Sequence, residues 1–296
     1  MIKGKRFFAL VFFVTIPIFF IFTGASLFDK QQFVTLSSTQ QSFAVHGKVS
    51  SVRNYTDISA APLTIKESAN WSIITFNKSG YYGLNIDDNG IKIFYSVFVS
   101  PVPSVHADKH VEQINWYQSQ FNSGTTSNCG PASCAMTISW AQEEYYPTSL
   151  VRKEIGWHGD GATSFEELIK VVQSKGVNAK ILPLRTFDDI KNIIDSGSVA
   201  VVLFKTDGVS SNVKDPQSNF FNKHYVDNVG HYIVVKGYSK DGMYVIVHDP
   251  IPSDWTQNKF RHNDGISMLG QNRYFNASEL LKSLRRADML VVTRRL

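Results

Sequence analysis

The 296-residue sequence predicts an α+β fold that is preceded by a small all-β module. Between residues 28 and 100, apolar and polar residues alternate and turn signals recur at short intervals, which is typical of a small β-sandwich. Helical patterns prevail from Cys129 to Asp195, and strand patterns prevail from Ser198 to Thr293. Helices that precede a mainly antiparallel sheet indicate the α+β class.

The chain begins with a segment that predicts export. Lys3, Lys5 and Arg6 precede an apolar run from Phe7 to Phe22, which is the pattern of a signal peptide or a membrane anchor. The run is long for a signal peptide and slightly short for a spanning helix. We therefore interpret residues 1–25 as one or the other. The rest of the chain would be anchored to the cytoplasmic membrane by its N-terminus, or would be periplasmic or extracellular after cleavage.

Composition excludes several classes of function. The formal net charge is +5, but the basic residues form no long run, so we expect no nucleic-acid partner. The two cysteines, Cys129 and Cys134, lie five residues apart in one predicted helix, where their side chains cannot meet in a disulfide. No Cys-x-x-Cys spacing indicates a metal site, and we expect no cofactor.

A change in composition separates the two parts of the chain. Pro101-Val102-Pro103-Ser104 predicts a linker over residues 101–110. Residues 111–296 then have the length of one compact domain, which we interpret as the catalytic part. Within it, Ser164 and Thr186 are expected to cap two helices.

One short stretch, Asn128-Cys129-Gly130-Pro131, combines the features of an activated nucleophile. It stands before a run of helix formers that ends at Gln142, so Cys129 lies at a helix N-terminus, where the helix dipole favours the thiolate. Glycine after the cysteine allows a close approach of the backbone, and proline suits the first helical turn. A buried cysteine that happens to begin a helix is the alternative interpretation.

A predicted hairpin supplies the base and the orienting group that a nucleophilic thiol needs. One strand begins at His231 and the other ends at Asp249, so both lie at the same open end. Because side chains alternate along a strand, a two-residue turn would bring His248 rather than Asp249 to the face of His231. A three-residue connection with Gly242 at a positive φ, or an equivalent bulge, would bring Asp249 to that face, and we expect one of the two.

These blocks resemble the bacteriocin-processing (double-glycine) cysteine peptidases and their stand-alone relatives in the papain-like superfamily. The resemblance rests on the blocks Asn128–Ser133, Gly230–Tyr238 and Asp249-Pro250, and it extends from Ile114 to Leu296. It implies a papain-like fold in which an N-terminal catalytic helix packs on an antiparallel sheet. It also implies four roles: nucleophile, Cys129; general base, His231; orienting carboxylate, Asp249; and oxyanion donor, Gln120, with Gln118 as the second choice.

The resemblance implies a thiol-dependent hydrolase, which the N-terminal segment predicts to be exported, and a peptidase acting on a peptide or protein substrate is the leading hypothesis. An amidase, a deamidase or an acyl transferase would use the same triad. A catalytically silent peptide-binding module would keep the fold without the chemistry. The sequence leaves these alternatives open, although the presence of Cys129, His231 and Asp249 together favours an enzyme.

Overall fold

The computed structural model describes residues 29–54, 63–121, 127–156, 163–217, 219–253, 260–262 and 267–294. The predicted signal peptide or membrane anchor, residues 1–25, lies outside these ranges. Within them, no helix is both long and apolar enough to span a membrane.

Strands alone build the N-terminal part of the described chain. In chain order they are β1 (Lys30–Leu36), β2 (Ser42–His46), β3 (Lys48–Asn54), β4 (Leu63–Glu67), β5 (Trp71–Phe76), β6 (Gly80–Asp88), β7 (Ile91–Val99), β8 (Ser104–His106) and β9 (Val111–Glu112). One sheet has the order β3-β6-β7-β1-β9, and a second has the order β2-β5-β4. The two sheets bury a common apolar core, which includes Val34, Phe43, Ile74, Tyr82 and Val97.

The C-terminal part begins with helices and continues mainly with strands. In chain order its elements are α1 (Cys129–Gln142), α2 (Thr148–Glu154), α3 (Phe165–Ser174), β10 (Asn178–Pro183), α4 (Phe187–Asp195), β11 (Ser198–Lys205), a short 3-10 turn (Thr206–Gly208), β12 (Gly230–Ser239), β13 (Tyr244–His248), β14 (Arg273–Asn276), α5 (Ala277–Ser283) and β15 (Asp288–Thr293). The strands pair in the order β10-β15-β11-β12-β13-β14, and each pair is antiparallel. The predicted α+β class, with a leading helix, an antiparallel sheet and a preceding all-β module, is therefore confirmed.

Local sequence explains where two of the helices begin. The Glu167 N–H donates to Ser164 Oγ at 3.2 Å, and the Ser164 N–H donates to the Glu167 carboxylate at 2.7 Å, just before α3. Thr186 and Asp189 make the same reciprocal pair before α4. Each of these reciprocal pairs is a capping box, which provides acceptors for N–H groups that have no partner within the first turn of the helix. Both predicted caps are therefore confirmed.

The central sheet is covered on both faces, which explains the continuous apolar sequence of β11. Val199 and Val201 share a buried cluster with residues of α1 and α3, whereas Ala200 and Val202 share one with residues of α4 and α5. Because side chains alternate between the two faces of a strand, a strand between two helical layers needs apolar residues at successive positions. Helix α1 lies directly on β12, and this contact positions the candidate site.

Near the boundary between the two parts of the chain, one short strand pairs with the C-terminal sheet, and the next one along the chain pairs with the N-terminal sheet. Strand β8, within the predicted linker of residues 101–110, pairs with β12 of the C-terminal sheet, and β9 pairs with β1 of the N-terminal sheet. Side chains from both parts also form a buried cluster, Tyr81, Phe98, Phe220, Ile246 and Tyr274. We keep residues 28–100 and 111–296 as proposed domains, joined through these contacts.

Candidate active site

Cys129 is the first residue of α1, as the sequence predicts, and it lines an open cleft. Cys134 lies fully buried in the core, and both cysteines are free thiols. A Cβ atom at Gly130 would lie 3.2 Å from side-chain atoms of Thr163 and Tyr232, which is tighter than normal packing. Glycine at this position therefore lets the start of α1 approach the sheet closely.

His231 and Asp249 meet at the open end of the β12–β13 hairpin. His231 Nε2 donates to Asp249 Oδ1 at 2.7 Å, and both side chains are almost completely buried. The thiol of Cys129 forms a hydrogen bond with the same imidazole, which leaves Nδ1 as the ring atom for the sulfur. The structure thus brings the three predicted residues together in the order Cys129, His231, Asp249.

The hairpin contains a β-bulge. Near the turn, Gly237 pairs with Ile246, whereas closer to the site Val235 pairs with Val247. Lys236 is therefore an extra residue on β12 with no counterpart on β13. One extra residue shifts the register by one position, and a shift of one position exchanges the faces to which side chains point.

This shift brings Asp249 to the face of β12 that carries His231. His248 packs on Trp116 instead, with 4.2 Å between ring centroids. The four residues between β12 and β13 include Gly242, whose φ is +75° as predicted. The expected three-residue connection is thus wrong, and the expected bulge is confirmed.

Buried polar contacts of Lys236 hold the bulge. Its ammonium group forms an ion pair with Asp108, donates to Asn272 Oδ1 at 2.8 Å and lies 5.3 Å from the ring centroid of Trp116. A buried ammonium group is tolerated only with partners of this kind. A lysine followed by glycine inside an apolar strand was the sequence signal for this bulge.

Asp249 has partners other than His231. The Tyr225 hydroxyl donates to Oδ2 and the Ile251 N–H donates to Oδ1, each at 2.9 Å. Such hydrogen bonds orient the carboxylate and favour its charged form. Tyr225 lies in the long segment between the 3-10 turn and β12, and sequence reasoning missed it because no local pattern distinguishes it from the other tyrosines.

Arg273 holds the loop that carries Tyr225. Its guanidinium group is fully buried, and it donates to the main-chain carbonyls of Pro216, Asn219, Phe221 and Asn222. A buried cation surrounded by carbonyl oxygens fixes irregular backbone, because moving that backbone would leave the charge unpaired. Arg273 therefore fixes residues 216–222, the part of the chain that leads to Tyr225.

The charges of the three residues stabilise one another. Burial acts to raise the pKa of Cys129, but the hydrogen bond to His231 and the charge of that ring outweigh burial and lower the pKa. Burial acts to lower the pKa of His231, but the charge and hydrogen bond of Asp249 outweigh it and raise the pKa to about 10. Burial acts to raise the pKa of Asp249, yet the charge of His231 lowers it. The site therefore favours a thiolate beside an imidazolium.

The lowered pKa of Cys129 predicts that iodoacetamide alkylates this thiol faster at pH 7 than it alkylates an ordinary thiol, whose pKa is about 8.5. The rate should decline only as the pH falls through the lowered pKa, because the thiolate is then protonated. His231→Ala should move the whole profile to alkaline pH, since the pKa of Cys129 then loses the lowering effect of the imidazole, while burial still raises it. Mass spectrometry of alkylated protein against pH measures both profiles.

Cys134 is the internal control for this measurement. It is fully buried, and burial raises the pKa of its thiol. It should stay unmodified wherever the fold is intact. Identical pH profiles for the parent protein and His231→Ala would contradict the inferred coupling between the thiol and the imidazole.

Gln120 lines the cleft together with Cys129. Its backbone is tied on both sides, because its N–H donates to the Pro250 carbonyl at 2.8 Å and its carbonyl accepts from Asn128 Nδ2 at 2.9 Å. Asn128, which precedes Cys129, and Pro250, which follows Asp249, thus set the position of Gln120. Gln120 thus occupies a fixed place in the wall of the cleft that Cys129 lines.

Gln118, the second choice from the sequence, occupies a different environment. It is buried, its Nε2 donates to the Tyr146 carbonyl at 2.6 Å, and its Oε1 accepts from the Thr148 N–H at 3.1 Å. Both ends of its amide are therefore engaged within the protein. This environment favours a role in packing the segment between α1 and α2, and the geometry favours Gln120 over Gln118 as the oxyanion donor.

The cleft above Cys129 has a volume of about 400 Å³. Apolar side chains form much of its wall: Leu203, Val229, Tyr232 and Ile251. Two charged residues, Asp227 and Arg285, also line it. An open cleft of this size, with few polar groups among apolar ones, fits a short stretch of peptide.

Comparisons with known proteins agree with the resemblance. The family model described as Peptidase C39 like family matches residues 109–275. Among solved structures, the chain is similar to a Bacillus anthracis protein described as a C39-like peptidase, with 13% identity, 65% of this chain and 98% of that chain covered, and a TM-score of 0.42. It is also similar to xylellain, a cysteine protease from Xylella fastidiosa, with 11% identity, 66% and 87% coverage, and a TM-score of 0.39. No curated protein matches the chain significantly.

Because both TM-scores are low, the assignment rests on the family model. The matched segment is more than half of the chain. It contains the start of α1 and the whole β12–β13 hairpin, which are the elements that carry the candidate site. The protein therefore belongs to the Peptidase C39 like family and is a cysteine peptidase.

Proposed function

We propose that the protein hydrolyses peptide bonds through a thioester formed on Cys129. The thiolate attacks the carbonyl carbon, and the His231 imidazolium gives its proton to the leaving amine as the C–N bond breaks. Neutral His231 then takes a proton from water, whose oxygen attacks the thioester, and Cys129 leaves as the thiolate. The products are a carboxylic acid and an amine, and the enzyme returns to its starting charges.

Two groups are proposed to stabilise the oxyanion that forms during each attack. One is the Cys129 N–H, at the positive end of the α1 dipole. The other is the side-chain amide of Gln120, which lines the same cleft. Donors held in place before the reaction are effective because they need no reorganisation when the charge develops.

One observation carries this proposal, namely the continuous hydrogen-bonded series Cys129, His231, Asp249 beneath an open cleft. The buried carboxylate orients the imidazole and stabilises its cationic form. Family membership supports the same chemistry. A silent peptide-binding module would have no need of a thiol with a lowered pKa.

Peptide hydrolysis is tested with a mixture of peptides in water enriched in ¹⁸O, with and without an added amine. Hydrolysis predicts that each new C-terminal carboxyl group contains one ¹⁸O atom. The alternative acyl transfer predicts an amide of the added amine without the label. Absence of both products, with Cys129 still alkylated at pH 7, would contradict the enzymatic proposals and favour a silent module. The cut peptides also report cleavage specificity, and we do not extend the double-glycine specificity of bacteriocin-processing peptidases to this chain.

We also propose that the catalytic part acts outside the cytoplasm. The basis is the positive start at Lys3, Lys5 and Arg6, followed by an apolar run. A protease added outside the cytoplasmic membrane of intact cells should therefore degrade residues 111–296. Protection of these residues until that membrane is lysed would contradict export.

A further inference from the structure

Arg285 lines the cleft beside the proposed triad. Its backbone is anchored, because its N–H donates to the Leu203 carbonyl at 3.0 Å. Leu203 lies on β11 next to Phe204, which pairs with His231 of β12. The exposed side chain of Arg285 therefore projects from a fixed backbone position on the His231 side of the cleft.

The side chain of Arg285 crosses the backbone of the residue that precedes His231. A Cβ atom placed on Gly230 would lie 2.5 Å from Arg285 Nη1 and 3.2 Å from its Cδ. Any residue larger than glycine at position 230 would force the guanidinium group to move. The glycine thus makes room for the arginine, whose guanidinium group lies against the residue that precedes His231.

The guanidinium of Arg285 has no hydrogen bond or ion pair within the part of the chain that the structure describes. Two other arginines of the C-terminal part differ in this respect. Arg286 pairs with Glu166 and Asp288, and Arg294 pairs with Glu112. Five donors in a rigid fork are suited to a carboxylate, so Arg285 presents an unused anion-binding group at the cleft.

We propose that Arg285 binds a carboxylate of the substrate in the cleft that Cys129 lines. The inference rests on the proposed function, because it takes Cys129 and His231 as the site of cleavage. Because Arg285 lines the same cleft as Cys129, a carboxylate held by its guanidinium group belongs to the part of the peptide that lies in this cleft. The site would therefore select peptides with an acid group near the cut.

Two sources could supply this carboxylate, namely an Asp or Glu side chain or the free C-terminus of a short peptide. The chemistry at the guanidinium is the same for both. Asp227, which also lines the cleft, accepts a hydrogen bond from the Asn228 N–H at 2.8 Å. Its negative charge would disfavour a second acid group, which limits the preference to a single carboxylate.

The test uses three alkylating reagents of matched size that react at Cys129. N-iodoacetyl-glutamate α-amide has a side-chain carboxylate, N-iodoacetyl-glutamine has a terminal carboxylate, and N-iodoacetyl-glutamine α-amide is neutral. The parent protein should react with at least one anionic reagent roughly tenfold faster than with the neutral one at pH 7 and low salt. The faster of the two anionic reagents identifies the source of the carboxylate.

Variants assign the preference to Arg285. Arg285→Gln should remove the preference for an anionic reagent, and Arg285→Lys should keep part of it. Arg285→Glu should reverse it in favour of a cationic reagent of matched size, N-iodoacetyl-lysine α-amide. Lys282→Gln removes the same charge from an exposed side chain of α5 outside the cleft, and it should keep the full preference. Equal rates for all three reagents in the parent protein, or a preference that survives in Arg285→Gln, would overturn the inference alone. Absence of any reaction at Cys129 would instead overturn the proposed function, and the inference with it.

Discussion

Replacing Cys129 with alanine should abolish peptide hydrolysis and alkylation at pH 7. Without the sulfur no thioester forms, so kcat should fall by a factor on the order of 10⁴ or more. The fold should remain intact, because Cys129 is only partly buried and alanine favours helix formation. Hydrolysis of the best peptide from the mixture measures the loss, and circular dichroism checks the fold.

Cys134→Ser is the matched control, because it changes the other cysteine of the same helix. Cys134 is fully buried, and its Sγ contacts the Leu168 carbonyl at 3.7 Å. A hydroxyl group there should cost about 1–3 kcal/mol in the free energy of unfolding and leave kcat nearly unchanged. Comparable activity in Cys129→Ala and the parent protein would exclude Cys129 as the nucleophile.

Asp249→Ala should lower kcat by about 10²-fold to 10⁴-fold. The charge and hydrogen bond of Asp249 raise the pKa of His231 against the effect of burial. Without them burial dominates and the pKa falls, so the imidazolium is lost at neutral pH and the thiolate beside it is destabilised. Alkylation of Cys129 at pH 7 should therefore slow as well, which a purely structural role for Asp249 would not predict.

Asp249→Asn separates orientation from charge. The amide oxygen can still accept from His231 Nε2, so the loss of kcat should be smaller than with alanine. Asp207→Asn is the control for removal of a carboxylate, because Asp207 is exposed and pairs with Lys205. Unchanged activity in Asp249→Ala would remove this residue from the site, and equal losses in the Asn and Ala variants would show that its charge alone matters.

The sequence by itself determined the elements whose causes are local. Helix α1 spans Cys129–Gln142 as predicted, and the capping residues Ser164 and Thr186 begin α3 and α4. The continuous apolar run of β11 is typical of a buried strand, and the structure covers this strand on both faces. These features depend on hydrogen bonds and side-chain periods that extend over only a few residues, so neighbouring residues suffice to predict them.

Local sequence also named the candidate residues Cys129, His231 and Asp249, because each stands at the end of a predictable element. The sequence also predicted that they occur in this order along the chain and that His231 and Asp249 lie at the same open end of a hairpin. The sequence could not predict which feature brings Asp249 to the face of His231, because the alternation of side chains along a strand allowed either a three-residue turn or a bulge. The structure has the bulge.

Only the tertiary structure decided the contacts between distant segments. The bulge at Lys236 depends on its buried pairing with Asp108, and the orientation of Asp249 depends on Tyr225. The different environments of Gln120 and Gln118 depend on the cleft that Gln120 lines and on the buried contacts of Gln118. These partners come from separate parts of the chain, and no local spacing relates them. A buried polar group must find a partner wherever packing places one, so its partner is a property of the folded core rather than of the adjacent sequence.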